Sequence, residues 1–302
     1  MHLGNARTSL LAWLQVRSAG GVLVLRIEDL DRPRVIRGAE AGILDDLRWL
    51  GLEWDEGPDS GPHAPYRQSA RTAHYDAAVA RLIAAGTAFE CACSRSEVAA
   101  ASSAPHEESA AGPRYPGTCR DLAPGDAASK AKAAGRSTAV RFRGGQRITF
   151  ADQVCGECDP FGEAGVDDFV IRRADGVAAY QLAVVTDDAA MGIDHVLRAD
   201  DLLVSTPRQI ALHRALLSPE PHFAHVPMVL APGGERLAKR NRPTSLRDLR
   251  ADGARPEDVI GKLAASAGLV PEGTRVKAKE LVKEFSLAKV PRDPVIFPPQ
   301  SP

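Results

Sequence analysis

Five cysteines stand at positions 91, 93, 119, 155 and 158. An odd count with two close pairs, in a chain without a secretory signal, reads as thiolate chemistry before disulfides. Cys91-Ala92-Cys93 and Cys119 could supply three corners of a structural zinc site, and zinc chemistry alone favours His106 as the fourth, since such sites are usually built from Cys and His. Cys155-Gly156-Glu157-Cys158 has a metal or redox spacing as well, but no second pair accompanies it, and it is read as structural.

Two other strings could handle phosphate. Met1-His2-Leu3-Gly4-Asn5 leads into a helical pattern, and a helix start offers free N–H groups and the positive end of the macrodipole, to which His2 could add a donor. Gly4 would let a nucleotide approach the backbone closely. Far downstream, Gly233-Gly234-Glu235-Arg236-Leu237-Ala238-Lys239-Arg240-Asn241 joins glycines to paired cations, a combination suited to closing over a polyphosphate.

These strings need elements to carry them. Apolar residues from Asn5 to Ser18 fall at helical spacing and stop at Gly20-Gly21. The run Val22 to Ile27 predicts a strand covered on both faces in a parallel sheet, which places Glu28 and Asp29 at its carboxyl end. Helices are expected around Ile43 to Leu50 and Ser69 to Ala85, with a Gly/Pro-rich connection over 51–65. Residues 91–136 change character, rich in Ala, Ser, Pro and Gly and bracketed by the first three cysteines, so they read as an inserted module held by something other than a core. Strands are expected at Thr138 to Phe142, Asp168 to Arg172 and Val177 to Thr186, the last placing Asp187-Asp188 at a strand edge. A helix from Thr206 to Leu217, a strand from Val226 to Leu230 and a polar helical pattern after Thr244 follow. The fold class is therefore α/β.

Composition removes several alternatives. With 302 residues, 44% hydrophobic and 25% charged, the chain has material for a buried core and resembles neither a disordered nor a membrane protein. Its net charge of -1 excludes a uniformly basic coat. Any nucleic-acid contact must be regional, as in the cluster Lys130, Lys132, Arg136, Arg141, Arg143 and Arg147 or the cluster Arg236, Lys239, Arg240, Arg242, Arg247 and Arg250. No apolar stretch near the start spans a bilayer and nothing resembles a cleavage site, so no membrane partner and a cytoplasmic location are expected.

The strings above also carry a resemblance. His2-Leu3-Gly4-Asn5 resembles the H-I-G-H signature of class I aminoacyl-tRNA synthetases, and Arg236-Leu237-Ala238-Lys239-Arg240 resembles their lysine loop in its glutamyl form, K-L-S-K-R. Between them, Arg26-Ile27-Glu28-Asp29-Leu30-Asp31 is similar to the glutamyl R-I-E-D-T-D segment. The stretch from Tyr180 through Asp187-Asp188, Met191-Gly192 and Arg198 to Thr206-Pro207-Arg208-Gln209 is similar to a further glutamyl block. Ala199 stands where glycine is usual and Ala238 where serine is usual.

That resemblance implies a Rossmann-like parallel sheet in two halves, residues 1–90 and 137–244, with a zinc-bearing insertion over 91–136 and a small helical appendage over 245–302. The family opens one strand earlier, with an R-F-A-P-S-P-T-G segment, so the sheet is expected to lack its first strand. It implies that His2 and Lys239 are catalytic, that His2, Gly4, Asn5, Arg236, Leu237 and Lys239 bind ATP with Mg2+, and that Glu28, Tyr180 and Arg198 line a pocket for L-glutamate, Glu28 on its ammonium group. The 58 residues after Thr244 leave no room for the large anticodon-binding region of a full glutamyl-tRNA synthetase. Cys91-Ala92-Cys93 with Tyr115-Pro116-Gly117-Thr118-Cys119 resembles the zinc module of the short paralogues that glutamylate queuosine in tRNA(Asp), which makes Cys91, Cys93, Tyr115 and Cys119 the implied ligands and puts Tyr115 against His106. The implied activity is glutamate activation and transfer to queuosine in the anticodon stem-loop of tRNA(Asp), by a monomer. The alternatives are a minimal glutamyl-tRNA synthetase charging a tRNA 3′ end, or a catalytically impaired zinc-containing tRNA-binding module.

Overall fold

A computed structural model describes residues 1–31, 33, 35–101, 114–230, 233 and 245–297. The lysine loop with Arg236, Leu237 and Lys239, and His106, lie outside the described residues.

In chain order the elements are α1 (Leu3–Ser18), α2 (Ala39–Trp49), α3 (Thr72–Ala84), β1 (Ala88–Cys91), α4 (Arg95–Ala101), α5 (Asp126–Ala133), β2 (Ala139–Phe142), β3 (Phe150–Asp152), β4 (Gly156–Cys158), β5 (Val170–Arg172), α6 (Tyr180–Met191), β6 (His195–Ala199), α7 (Thr206–Ala215), β7 (His222–Val226), β8 (Val229–Leu230), α8 (Leu246–Ala251), α9 (Pro256–Ser266), α10 (Ala278–Leu281) and β9 (Val295–Ile296). Helices alternate with strands, as the sequence leads one to expect. A four-stranded sheet runs β4-β3-β7-β6, and β7 is parallel to both β3 and β6. A second sheet, β1-β2-β5, is antiparallel. Cys91 pairs with Ala139 across it, so the segment carrying the cysteine module leaves and re-enters the fold at one point.

Two cores hold these layers. One joins Tyr75, Val79 and Leu82 of α3 to Val140 and Phe142 of β2, Leu182 and Val185 of α6 and Ile210 and Leu212 of α7. The other joins Leu3, Leu10 and Leu14 of α1 to Leu47 of α2 and to Leu246, Ile260, Leu263 and Leu281 of the C-terminal helices. The expected helical appendage is thus present, and it shares a core with the first helix.

Three expectations are corrected. Residues 22–27 are extended but form no continuous strand: they make isolated parallel bridges, Val24 to Glu56 and Ile27 to Arg67. Leu25 donates its N–H to Glu56 O and Ile27 to Tyr66 O, both at 2.9 Å. The neighbours are loops broken by prolines, and Gly57, at φ +80° against the Leu25 carbonyl, takes a conformation that a ladder residue cannot. Residues 177–186 enter a helix instead of a strand. After the turn at Gly176 (φ +84°), Ala179 donates to Ile171 O at 2.9 Å, and α6 begins at Tyr180. A fully apolar run does not distinguish a buried strand from a helix buried all round, and Leu182, Ala183, Val184 and Val185 are all buried. Asp187 and Asp188 therefore lie within a helix, which Gly192 ends in the left-handed region. The expected strand 226–230 is divided at Pro227, with β7 before it and β8 after. Among the described residues no helix is long and apolar enough to cross a membrane.

Candidate active site

His2 is the N-cap of α1. Its backbone is extended (φ -89°, ψ 161°) and its Nδ1 accepts the Asn5 N–H at 3.3 Å. Burial lowers the imidazole pKa, so the ring is neutral at pH 7; with Nδ1 occupied as acceptor, its proton is on Nε2. The helix start therefore presents an imidazole N–H beside its own free backbone donors. Gly4 is tightly enclosed, because a Cβ there would lie 3.3 Å from the His2 ring and 3.7 Å from Val229 Cβ. Asn5 is exposed on the first turn.

Both flanks of the lysine segment meet this helix start. On one side is Val229, packed near Gly4. On the other, Ser245 forms an antiparallel bridge with His2, and Leu246 donates its N–H to Met1 O at 2.8 Å.

The second half of the site lies at the carboxyl ends of β6 and β7, where parallel sheets place ligands. Arg198, on β6, is 8% exposed. Its Nε–H donates to His225 Nε2 at 3.0 Å and its Nη2–H to Thr206 Oγ1 at 2.9 Å. Its pKa is lowered, mainly by burial. Among the described residues no carboxylate lies within ion-pair distance of it. Tyr180, at the start of α6, places its hydroxyl beside Arg198 and Gln209. It stays 38% exposed.

Glu28 completes the group. Its side chain is 41% exposed and 3.6 Å from Arg26, yet desolvation raises its carboxyl pKa above the usual range against the opposing pull of Arg26. Accessibility together with desolvation is the condition of a group on the wall of a cleft. Glu28, Tyr180 and Arg198 each influence the charge of another member of the set. A carboxylate, a phenol and a guanidinium that has no carboxylate within ion-pair distance among the described residues, all within electrostatic reach of one another, suit a small ligand that carries both an ammonium and a carboxylate.

Buried ion pairs set the spacing. Asp188 pairs with Arg26, and Asp187 accepts from Arg71 Nε at 2.6 Å, Gln68 Nε2 at 3.0 Å and the Tyr75 hydroxyl. The two aspartates thus clamp the extended segment carrying Glu28, and helix α3, onto α6. The halves of the site are joined as well. Asp200, two residues after Arg198, accepts the Met228 N–H at 3.2 Å and lies within electrostatic reach of Arg7 on α1. Arg7 in turn donates to Pro227 O at 2.8 Å.

Reading the sequence missed His225 and Asp152, whose roles appear only in three dimensions, and did not single out Thr206 although it falls in the block after Arg198. The one local signal was His225 near the end of an apolar run leading to proline.

The cysteine module forms a separate cluster. The Sγ atoms of Cys91, Cys93 and Cys119 lie within 4.8 Å of one another. Cys93 and Cys119 are 3.6 Å apart, and the Tyr115 hydroxyl is 3.4 Å from Cys91 Sγ and 3.7 Å from Cys93 Sγ. A zinc tetrahedron with Zn–S bonds of about 2.3 Å has edges of about 3.8 Å, so these spacings are close to those of a shared ion. Tyr115 also accepts the Cys119 N–H at 2.8 Å, while burial and the neighbouring thiols raise the pKa of its phenol. Arg141 lies over the Tyr115 ring, 3.9 Å from its centroid, and donates to Cys91 Sγ at 3.4 Å. Cys155 and Cys158 bond separately, to His225 O and Gly156 O.

Three of the six cations of the first basic cluster are paired: Arg136 with Glu97, Arg143 with Asp121, and Arg147 with Asp159 and Glu163.

Comparison with known proteins gives a consistent picture. A family described as "tRNA synthetases class I (E and Q), catalytic domain" matches residues 1–297. The glutamyl-Q tRNA(Asp) synthetase of Symbiobacterium thermophilum is 51% identical, over 100% of this chain and 93% of that protein. That of Nitratidesulfovibrio vulgaris is 44% identical, over 99% and 92%. The crystal structure of a glutamate-tRNA synthetase from Elizabethkingia anophelis superposes with a TM-score of 0.80 at 27% identity, over 98% of this chain. The chain spans 65% of that longer protein.

Proposed function

The chain belongs to the class I tRNA synthetases for glutamate and glutamine, and from that footing we propose that it activates L-glutamate with ATP and transfers the glutamyl group to queuosine at the wobble position of tRNA(Asp). One observation carries the choice of amino acid: the buried Arg198 has neutral acceptors and, among the described residues, no carboxylate within ion-pair distance, and it lies beside Tyr180 in a group that includes Glu28. A buried guanidinium left in this state favours a ligand carboxylate, while Glu28 supplies the charge for the ligand's ammonium. The choice of acceptor rests on the relatives named for glutamyl-Q chemistry, which are 51% and 44% identical to this chain over 93% and 92% of their own length.

In this reading a carboxylate oxygen of glutamate attacks the α-phosphorus of ATP, pyrophosphate leaves, and the resulting adenylate is the acyl donor to tRNA. ATP enters with Mg2+. The His2 Nε2–H, the amino end of α1 beside Gly4 and Asn5, and the cations Arg236 and Lys239 stabilise charge on the phosphates, with Leu237 in the same loop. Positioning and electrostatics suffice, and no side-chain nucleophile is needed.

Zinc held by Cys91, Cys93, Tyr115 and Cys119 would supply a structural cross-link. Among the described residues the local core consists of Phe89, Ala92, Val98, Ala131 and the ligand residues themselves, a small core that such a cross-link would reinforce.

The test supplies labelled glutamate and ATP with tRNA(Asp) that carries or lacks queuosine. Labelling confined to the queuosine-bearing tRNA is expected. Equal labelling of both, or labelling of tRNA(Glu) only, rejects the choice of acceptor in favour of a minimal glutamyl-tRNA synthetase.

A further inference from the structure

Arg198 is fixed by a chain of uncharged groups that ends on a carboxylate one residue removed. The Thr206 oxygen accepts from Arg198 Nη2 and directs its own proton to His225 Nε2, 3.1 Å away. His225 Nε2 thus receives two donors, Arg198 Nε–H and the threonine hydroxyl, and cannot carry a proton itself. The ring proton is therefore on Nδ1, which donates to Asp152 Oδ2 at 2.6 Å. Asp152 is held in turn by the N–H groups of Val154, Cys155 and His225, at 2.9, 2.8 and 3.1 Å on Oδ1. Phe223 stacks on the His225 ring at 19° and lies beneath the Arg198 guanidinium. Asp152 and His225 are buried.

We propose that His225 is a specificity-determining positioning residue, a neutral acceptor locked in one tautomer that fixes the Arg198 guanidinium plane while leaving its charge for a substrate carboxylate. The proposal rests on the glutamate-pocket reading of Arg198 and deepens it. A carboxylate in place of the imidazole would fix the plane equally well, but the ligand would then meet a neutralised pair. A residue without an acceptor would leave the charge and lose the orientation on which a two-pronged grip depends. Asp152 acts one ring further away, selecting the tautomer without neutralising the arginine. The arrangement distinguishes a carboxylate side chain from its amide, since only the charged ligand satisfies a guanidinium that meets no carboxylate among the described residues.

The experiment measures ATP–pyrophosphate exchange in the presence of queuosine-bearing tRNA(Asp), with glutamate and ATP varied separately. His225→Phe is expected to raise KM for glutamate at least tenfold and to leave KM for ATP within twofold. His225→Gln, whose amide oxygen can accept the Arg198 proton, is expected to recover most of that loss. Should His225→Phe fail to fold, as judged by circular dichroism, Thr206→Val decides: removal of the second acceptor is expected to raise glutamate KM several-fold at constant ATP KM. Unchanged glutamate KM in the folded variant, or an equal rise in both constants, overturns the proposal. Arg198→Lys separates the two layers. If it leaves glutamate KM unchanged, the pocket reading itself fails; if it raises the constant while His225→Phe does not, only the positioning role fails.

Discussion

Arg71 donates its Nε–H to Asp187 at 2.6 Å, and the two side chains are 3% and 0% exposed. The pair joins α3 to α6, and Asp187 also accepts from Gln68 and Tyr75. Beside it Asp188 pairs with Arg26, so the two adjacent carboxylates secure two different segments of chain. Removing one partner of such a pair leaves the other charge buried, which typically costs about 3–5 kcal/mol. Asp187→Ala is therefore expected to lower unfolding free energy by about that amount and to broaden or abolish the proposed glutamate site together with the fold. Urea denaturation checks it; a loss below about 1 kcal/mol would show that the cluster is not structural.

His2 performs two tasks that can be separated. His2→Ala removes the cap acceptor, expected to cost about 1 kcal/mol of stability, along with the Nε2 donor. His2→Asn restores a capping oxygen without reaching as far as the imidazole. Activation by the asparagine variant is expected to stay depressed at near wild-type stability, as read by pyrophosphate exchange and thermal melting. Full recovery of rate would remove the imidazole from phosphate binding.

Glu28 predicts a pH dependence. Burial raises its carboxyl pKa, so in the free protein it takes up a proton at higher pH than an ordinary glutamate. An ammonium ligand requires the ionised form. KM for glutamate is thus expected to rise as pH falls through that raised pKa and to level off above it, and Glu28→Gln is expected to flatten the acid limb at a uniformly high KM. A wild-type profile without an acid limb argues against an ammonium contact.

Asp152 predicts a pH-dependent stability. Against the desolvation that would raise it, hydrogen bonds from the His225 ring and from backbone N–H groups hold its pKa at about 2, below the 3.8 of an ordinary aspartate. A depressed carboxyl stabilises the fold above the unfolded pKa and loses that contribution as pH falls through the folded one, here between about pH 4 and pH 2. The stabilisation at neutral pH is about 2 kcal/mol. Denaturation curves of wild type and Asp152→Asn are expected to differ by roughly this amount at pH 7 and to converge toward pH 2.

Metal content tests the cysteine module. Purified protein is expected to carry one equivalent of zinc, Cys91→Ser to lose it with a drop in melting temperature, and Cys155→Ser to retain it. Tyr115→Phe is expected to weaken zinc retention under chelator while His106→Ala leaves it unchanged. Full retention by Tyr115→Phe would exclude the phenolic ligand.

Local signals gave a good account of what depends on short stretches of chain. Helical spacing from Asn5 to Ser18 and the glycines that follow predicted α1, because a helix burying one stripe writes its period into the sequence. The Cys-x-Cys pair, the helix-start histidine and the order of the glutamyl-like segments were equally legible, each being a matter of residue type at fixed spacing. The run at 177–186 was misread because a segment covered on all sides shows no period, and only its neighbours decide between strand and helix. Residues 22–27 carried a strand's composition, but a ladder needs a partner of matching length, and loops lie there instead. The chain Asp152–His225–Arg198 was invisible for the same reason: its members are 73 and 27 residues apart, and only the pairing of β3 and β6 with β7 places them side by side. Residue identity set which chemistry was available, and long-range packing decided which charges meet a partner of opposite sign and which meet neutral acceptors.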